Sequence, residues 1–349
     1  MKKSRKTRGM ALTAFALAGL LAGGMMVQGA ESSEGGGKYA FISKSMDNPY
    51  NFAMAEGFQE VIEGAGGECV VNHPLNAYAD DQITLIDSLI SQDVDAIAIA
   101  ANDETRLTEA LTEAREAGIQ VITVDSDTDH SVRSTFCNQA STELIAQTMM
   151  DAVYDITGGE GQYAILSTTP YATNQNAWLE AMETLAASDE KYANLELIDI
   201  AYGEDQADAS AEKTKDLLEE HPDLKAICAL TSAGITAAAK TLSEEETEVK
   251  ITGLGMPSEL AEYIGEDGPC PKAYLWNPID LGRLAAYTSM ALVSGEITGA
   301  AGESVEADTL EGSPYAITEL PEDSSATEIV LGSMDCFDAG NIDEWKDVF

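Results

Sequence analysis

A few short stretches hold the side chains best suited to chemistry, and almost all of that chemistry is hydrogen bonding. Lys44 follows the apolar run Tyr39–Ser43, where it can donate to a hydroxyl or pair with a carboxylate such as Asp125. Asn48-Pro49-Tyr50-Asn51 combines turn and helix-cap chemistry with a phenol ring able to stack on a sugar-like ring. Asp125-Ser126-Asp127 follows the apolar run Gln120–Val124. One carboxylate there can cap the turn. The other, Asp125, can accept two hydrogen bonds from neighbouring hydroxyls, with Ser126 beside it, and charged acceptors contribute about 1.5–3 kcal/mol each. Asn174-Gln175-Asn176 places three amides before Trp178, more than a helix cap requires, and each amide both donates and accepts. Trp276-Asn277 ends another run, where the indole either joins the core or floors a pocket.

Nucleophilic catalysis is hard to assemble from the same chain. Its three histidines, His73, His130 and His221, stand in polar turns, and no G-x-S-x-G, P-loop or H-E-x-x-H pattern occurs. The glycine-rich stretches 35–37 and 64–67 lack dinucleotide spacing. Five cysteines (Cys69, Cys137, Cys228, Cys270 and Cys336) are odd in number and widely spaced, with no C-x-x-C, so neither a metal nor a redox site is expected. Cys69, Cys137 and Cys228 lie in strand-like runs and read as buried thiols; a disulfide between any two stays open. No catalytic residue and no cofactor is expected, which points away from an enzyme.

Around these loops, β-branched apolar runs alternate with amphipathic helical patterns. Runs at 39–43, 96–100, 120–124, 162–167, 226–230 and 250–254 alternate with helical stretches at 52–62, 82–91, 105–117, 144–154 and 209–219. This predicts an α/β fold with parallel sheets covered on both faces. The chain also repeats. Ala96–Asp127 aligns without a gap on Ala226–Pro257, and Tyr39–Ser43 aligns on Tyr163–Ser167, which implies two similar α/β lobes in tandem. Ligands of open α/β sheets sit outside the carboxyl ends of the strands. The loops to watch are therefore 44–51, 101–104 (with Asn102), 125–129, 168–176, 231–234 and 255–258.

Charge and leader set the compartment. The 349 residues carry 19 Lys+Arg against 61 Asp+Glu, a formal charge of −42. Residues 1–30 hold Lys2, Lys3, Arg5, Lys6 and Arg8 and no acid, ahead of an apolar run and small residues at 27–30. That is the pattern of a cleaved secretory signal; removing it leaves 14 cations, 61 acids and a charge of −47. Such a surface repels nucleic acid and anionic membranes. Leu21-Ala22-Gly23-Gly24 looks like a lipoprotein processing box with glycine in place of the lipid-bearing cysteine, so no lipid anchor is expected. Residues 31–37 read as a flexible leader. The expected location is outside the cytoplasmic membrane, in the periplasm or at the cell-envelope exterior.

The stretches YAFISK, NPYNFAMAEGF, DAIAIAAND, GIQVITVDSDT, NQNAW, HPDLKAI and YLWNPIDLGR, in this order, resemble the type I periplasmic sugar-binding proteins of ABC importers. The likeness spans about residues 38–349 and is nearest the autoinducer-2-binding and rhamnose-binding subgroup. The resemblance implies two lobes joined by a three-stranded hinge, with 38–138 plus about 278–315 forming the first and 139–277 plus about 316–349 the second. It implies a ligand held between the lobes, delivery to a membrane permease, and a monomeric protein. For autoinducer-2 receptors it implies contacts from Lys44, Asp125 and Gln175. Asn174 stands where that pattern has Asp, which removes a strong acceptor, and Leu230 and Ser232 stand where it has Pro and Ala. NPYN and WNP look more like the rhamnose-type members and bring in Asn48, Tyr50, Trp276 and Asn277. The implied ligand is a small neutral monosaccharide, such as rhamnose or a pentose, or a related polyol, with autoinducer-2 still a candidate. A chemotaxis or signalling receptor is the alternative. An exported carbohydrate hydrolase would need carboxylates on both sides of the cleft, whereas the second lobe's loops offer amides. A transcriptional regulator on this fold would need a basic DNA-binding segment where the export signal stands.

Overall fold

The computed structural model describes residues 36–321 and 323–349. The expected signal, 1–30, and most of the leader, 31–35, lie outside the described residues. The first part of the chain runs β1 (Lys38–Ile42), α1 (Pro49–Gly64), β2 (Glu68–Asn72), α2 (Ala79–Ile90), β3 (Ala96–Ile99), α3 (Thr108–Glu116), β4 (Gln120–Val124) and β5 (Phe136–Asn138). Next come α4 (Thr142–Thr157), β6 (Gly161–Ser167), α5 (Thr173–Ser188), β7 (Leu195–Tyr202), α6 (Ala207–Glu220) and β8 (Leu224–Ala229). They are followed by α7 (Ser232–Glu244), β9 (Lys250–Gly253), α8 (Pro257–Leu260), β10 (Lys272–Leu275) and α9 (Pro278–Ser294). The chain closes with β11 (Ser304–Val305), β12 (Tyr315–Ala316), β13 (Thr318–Glu319), β14 (Thr327–Val330), β15 (Asp335–Asp338) and α10 (Ile342–Trp345).

Two sheets result. The first has the order β13-β14-β5-β4-β3-β1-β2, parallel except at β13. The second has the order β7-β6-β8-β9, all parallel. The antiparallel pair β10-β15 flanks it through a bridge from Leu254 to Tyr274. The repeated segments occupy equivalent places: β1 and β6 are both inner strands beside a chain reversal, β3 matches β8, and β4 matches β9. The expected two-lobed α/β architecture is the observed one.

Strand β3 shows why such runs become central. AIAI is buried throughout, and its residues divide by period two. Ala96 and Ala98 pack with Phe41, Ile122 and Val124 beneath α1 and α9; Ile97 and Ile99 pack with Ile42 and Val121 beneath α2 and α3. Helices α1 and α9 meet backbone to backbone. A Cβ on Gly57 would lie 2.0 Å from the Ile279 carbonyl oxygen, and one on Gly282 would lie 1.8 Å from that of Met54. Only glycine admits this approach.

The chain passes between the sheets three times: from β5 to α4, from β10 to α9, and from β14 to β15. The stretch 318–330, grouped on sequence with the second lobe, instead pairs into the first sheet through β13 and β14; β15 alone of the last three strands pairs on the other side. No described helix is long and apolar enough to cross a membrane.

Candidate functional site

The carboxyl ends of both sheets face one another across a narrow cavity of about 40 Å³. Lys44, Asn48, Tyr50, Asp125, Asn174, Gln175, Ser232 and Trp276, all singled out on sequence, line it. Asn51, Thr168, Trp178, Asp205 and Thr231 complete the polar and aromatic wall, while Leu230, Leu254 and Leu275 supply an apolar face.

Local structure explains each placement. Asn48 caps α1, accepting from the Tyr50 N–H at 3.1 Å with Pro49 in the first turn. Its remaining amide donates to Asp205 Oδ1 at 3.0 Å. Gln82, fully buried, braces the point where the sheet order reverses: it donates to the carbonyls of Ser43 and Ala100 at 3.0 and 2.7 Å and accepts from Asn102 N–H at 2.9 Å. Asn102 in turn donates to the Lys44 carbonyl at 2.8 Å. It therefore positions Lys44 and does not line the cavity.

Asp125 adopts a left-handed backbone, φ 64°. That conformation costs a β-carbon residue on the order of 1 kcal/mol or more, and it turns the carboxylate off the strand end into the cavity. Tyr50 Oη donates to Asp125 Oδ1 at 2.8 Å, and Trp276 Nε1 donates to Tyr50 Oη at 2.7 Å. The Trp276 ring stands edge-on to Tyr50 and to Trp178, with centroids 6.1 and 6.0 Å apart. Trp276 is therefore both core, at 2% exposure, and pocket wall.

Contacts from one sheet to the other draw the site together. Lys44 Nζ donates to Asn174 Oδ1 at 2.9 Å, and Asn174 Nδ2 donates to Asp125 Oδ2 at 3.2 Å. Ser45 Oγ donates to Asp205 Oδ2 at 2.6 Å, while Thr231, which follows β8 of the same sheet as Asp205, donates from Oγ1 to Asp205 Oδ1 at 2.7 Å. Gln175 lines the cavity but commits its Oε1 to Ser167 Oγ and Thr168 N–H, at 2.6 and 2.8 Å.

On sequence Lys44 could donate to a hydroxyl or pair with Asp125; the structure keeps the attraction to Asp125 but gives the hydrogen bond to Asn174. Two further expectations are corrected. Asn277 caps α9, accepting from Ile279 and Asp280 N–H, and faces away from the lining. Ser126 is buried beneath the loop, with its Oγ unpartnered among the described residues, and does not line the cavity either. Asp205 is the residue the sequence reading missed. It follows β7, also with positive φ (56°), and is 2% exposed. All five cysteines are free thiols, and Cys69 is only half-buried. Elsewhere, Asp199, Glu220 and His221 bring ligand-type atoms within 4.8 Å of one another at the end of α6 farthest from this cavity.

One cation thus sits between two carboxylates, all out of water. Burial pushes the Asp125 and Asp205 carboxyls up, partly offset for Asp125 by Lys44 and the Tyr50 hydroxyl, and for Asp205 by Ser45, Thr231 and Lys44. Burial pushes Lys44 down against the pull of both. Acceptors outnumber the cation, an arrangement suited to a neutral ligand rich in hydroxyl donors. It can hold such a ligand; the hydroxyls of Ser45 and Thr231 that meet Asp205 serve to fix that carboxylate in place.

A pH experiment follows. A carboxyl whose folded pKa is raised takes up protons on folding, so the cost of burying its charge fades as pH falls toward the unfolded value. The melting midpoint of Asp205→Asn minus that of wild type should therefore be more positive at pH 7 than at pH 4. A difference independent of pH would show that Asp205 carries no buried charge.

The periplasmic binding protein domain profile matches residues 39–297. A solute-binding protein of an ABC transporter from Clostridium phytofermentans, solved with bound L-rhamnose, superposes with a TM-score of 0.87 at 49% identity, covering 90% of this chain and 99% of that one. A sugar ABC transporter protein from Actinomyces odontolyticus gives a TM-score of 0.68 at 38% identity, over 88% and 97% of the two chains. A Clostridium saccharobutylicum protein in complex with AI-2 shares the fold, with a TM-score of 0.82 at 24% identity over 88% and 99%. Among curated proteins, the ribose import binding protein of Bacillus subtilis is 22% identical over 77% of this chain and 87% of its own length. The fructose import binding protein of Bifidobacterium longum aligns at 26% identity over 37% of this chain and only 39% of its own length. These relatives are transport solute-binding proteins and not enzymes, and their family is an exported one. The chain belongs to the periplasmic binding protein family, within its type I sugar-binding branch.

Proposed function

We propose that the protein is the extracytoplasmic solute-binding component of an ABC importer, that its ligand is a neutral deoxyhexose of the L-rhamnose type, and that it delivers the sugar to a membrane permease. The observation that carries the reading is 49% identity over 90% of the chain to the protein holding L-rhamnose. The cavity chemistry supports it. Asp125 and Asp205 accept from ring hydroxyls, Lys44 and Asn174 donate, and the leucine face beside Trp178 suits a C6 methyl group in place of a hydroxymethyl.

A cavity of about 40 Å³ is small against the roughly 300–1,000 Å³ of small-molecule sites. Ligand uptake therefore requires the sheets to part, with the Lys44–Asn174 and Asn48–Asp205 bonds broken and then replaced by bonds to the sugar. Motion about the three crossings supplies that opening, and the ligand's preference for the closed form drives its return.

Thermal shift and calorimetry against L-rhamnose, L-fucose, D-ribose, D-fructose and autoinducer-2 test the proposal. L-rhamnose should stabilise the protein most and bind with a micromolar or lower Kd, about −8 kcal/mol. Stabilisation by a different sugar, with none by L-rhamnose, would remove the ligand assignment.

A further inference from the structure

A second, much larger cavity of about 610 Å³ adjoins the first, and Asp125, Asn174 and Trp178 line both. It lies beside two of the crossings, with Asn138, Gln139 and Ser141 from one and Glu328 near another, and reaches Tyr171 at the start of α5. The reading of the inner cavity as a monosaccharide site leaves this space without a role.

Its chemistry is specific. Gln139 is 1% exposed, lines the cavity, and has an Oε1 with no hydrogen-bond partner among the described residues; the buried Thr173 Oγ1 is likewise unpartnered. An unpaired buried amide acceptor is unfavourable, and both atoms are closed to water in this form, so a ligand donor meets Gln139 Oε1 when the side chain turns toward the cavity it lines. Acidic side chains, including Asp103, Glu143 and Glu180, surround the space, and among the described residues neither Lys nor Arg lines it. Such a wall accepts hydrogen bonds and repels anions. The Tyr171 ring, 59% exposed, offers a face for a second sugar ring.

We infer that the protein's ligand is a neutral rhamnosyl saccharide of at least two rings, with the terminal deoxyhexose in the inner cavity and the next ring in the outer one. Asn174 stands at the junction and contacts the link between them. This rests on the L-rhamnose-type reading of the inner site.

Calorimetry of the purified protein with L-rhamnose and with rhamnosyl-glucoses linked 1→2, 1→4 and 1→6 tests it. At least one disaccharide should bind as tightly as L-rhamnose or more tightly. Gln139→Leu and Tyr171→Ala should each weaken that disaccharide by about tenfold, equivalent to about 1.4 kcal/mol, while L-rhamnose affinity stays within about twofold. Retained L-rhamnose binding shows that the variants fold, and Tyr171, being exposed, keeps the test open should Gln139→Leu fail to fold. If L-rhamnose binds and every disaccharide is weaker by more than about tenfold, the extended site is wrong and the monosaccharide reading stands. The extended site is equally wrong if the two variants weaken monosaccharide and disaccharide alike. If neither L-rhamnose nor any disaccharide binds, the inner-site reading falls and this inference falls with it.

Discussion

Asp125→Ala should abolish the rise in melting temperature produced by the cognate sugar, while the ligand-free protein still unfolds in a cooperative transition. The carboxylate is the end point of the Trp276–Tyr50–Asp125 relay and also takes Asn174, so it is both oriented and desolvated before a ligand arrives. Losing two hydrogen bonds to a charged acceptor costs on the order of 3–6 kcal/mol, or at least about 100-fold in affinity. The ligand-free fold loses less. Burial holds the Asp125 carboxyl above its ordinary pKa, so its charge is a net burden on folding, and Tyr50 keeps its bond from Trp276. Asp125→Asn, which tolerates the left-handed backbone, separates charge from shape and should retain part of the affinity. An undiminished thermal shift in Asp125→Ala would exclude the residue from the site.

Gly282→Ala should be among the most destabilising single-methyl changes available in this chain. The added carbon would lie 1.8 Å from the Met54 carbonyl, so α9 must move off α1. Overpacking of this kind costs about 3 kcal/mol, equivalent to a midpoint fall of about 6–12 °C at roughly 2–4 °C per kcal/mol. Binding should weaken as well, because α1 begins beside Asn48 and Tyr50 and α9 begins two residues after Trp276. Gly64→Ala at the end of α1 is the control: nothing lies within 4 Å of its Cβ, and the change should be neutral or stabilising by up to about 1 kcal/mol. Equal midpoints for the two variants would show that the α1–α9 contact is not the constraint described here.

What the sequence disclosed depended on burial. Central strands such as β3 and β4 are apolar on both faces and stood out as runs, so the loops behind them, with Lys44 and Asp125, were found from the strand-end rule alone. Strand β7 lies at a sheet edge and is half-buried along most of its length. Glu196 and Asp199 interrupt its apolar residues, the run passed unnoticed, and so did Asp205 behind it, one acid among 61. The same rule applied to β7 would have found it. Asn277 failed for the opposite reason. Asn before Pro is a cap signature, and Asn277 caps α9 without lining the cavity, whereas Asn48 caps with its oxygen and reaches Asp205 with its nitrogen. Sequence cannot separate the two cases, because the difference lies in which lobe faces the free amide. The placement of β14 was hidden similarly: a short strand near the chain's end carries no mark of the sheet it will join.

The three crossings between the sheets are the joints on which the proposed closure would turn. On the proposed hinge closure, with three connections between the lobes, residues far from any ligand atom help set the balance between open and closed forms. The apparent dissociation constant is the intrinsic one divided by the fraction of molecules already closed. Substitutions in 331–334, between β14 and β15, can therefore retune affinity for every ligand by a common factor while leaving the ranking among sugars untouched. Selectivity then comes from the cavity and sensitivity from the joints, so substitutions can change either one without the other.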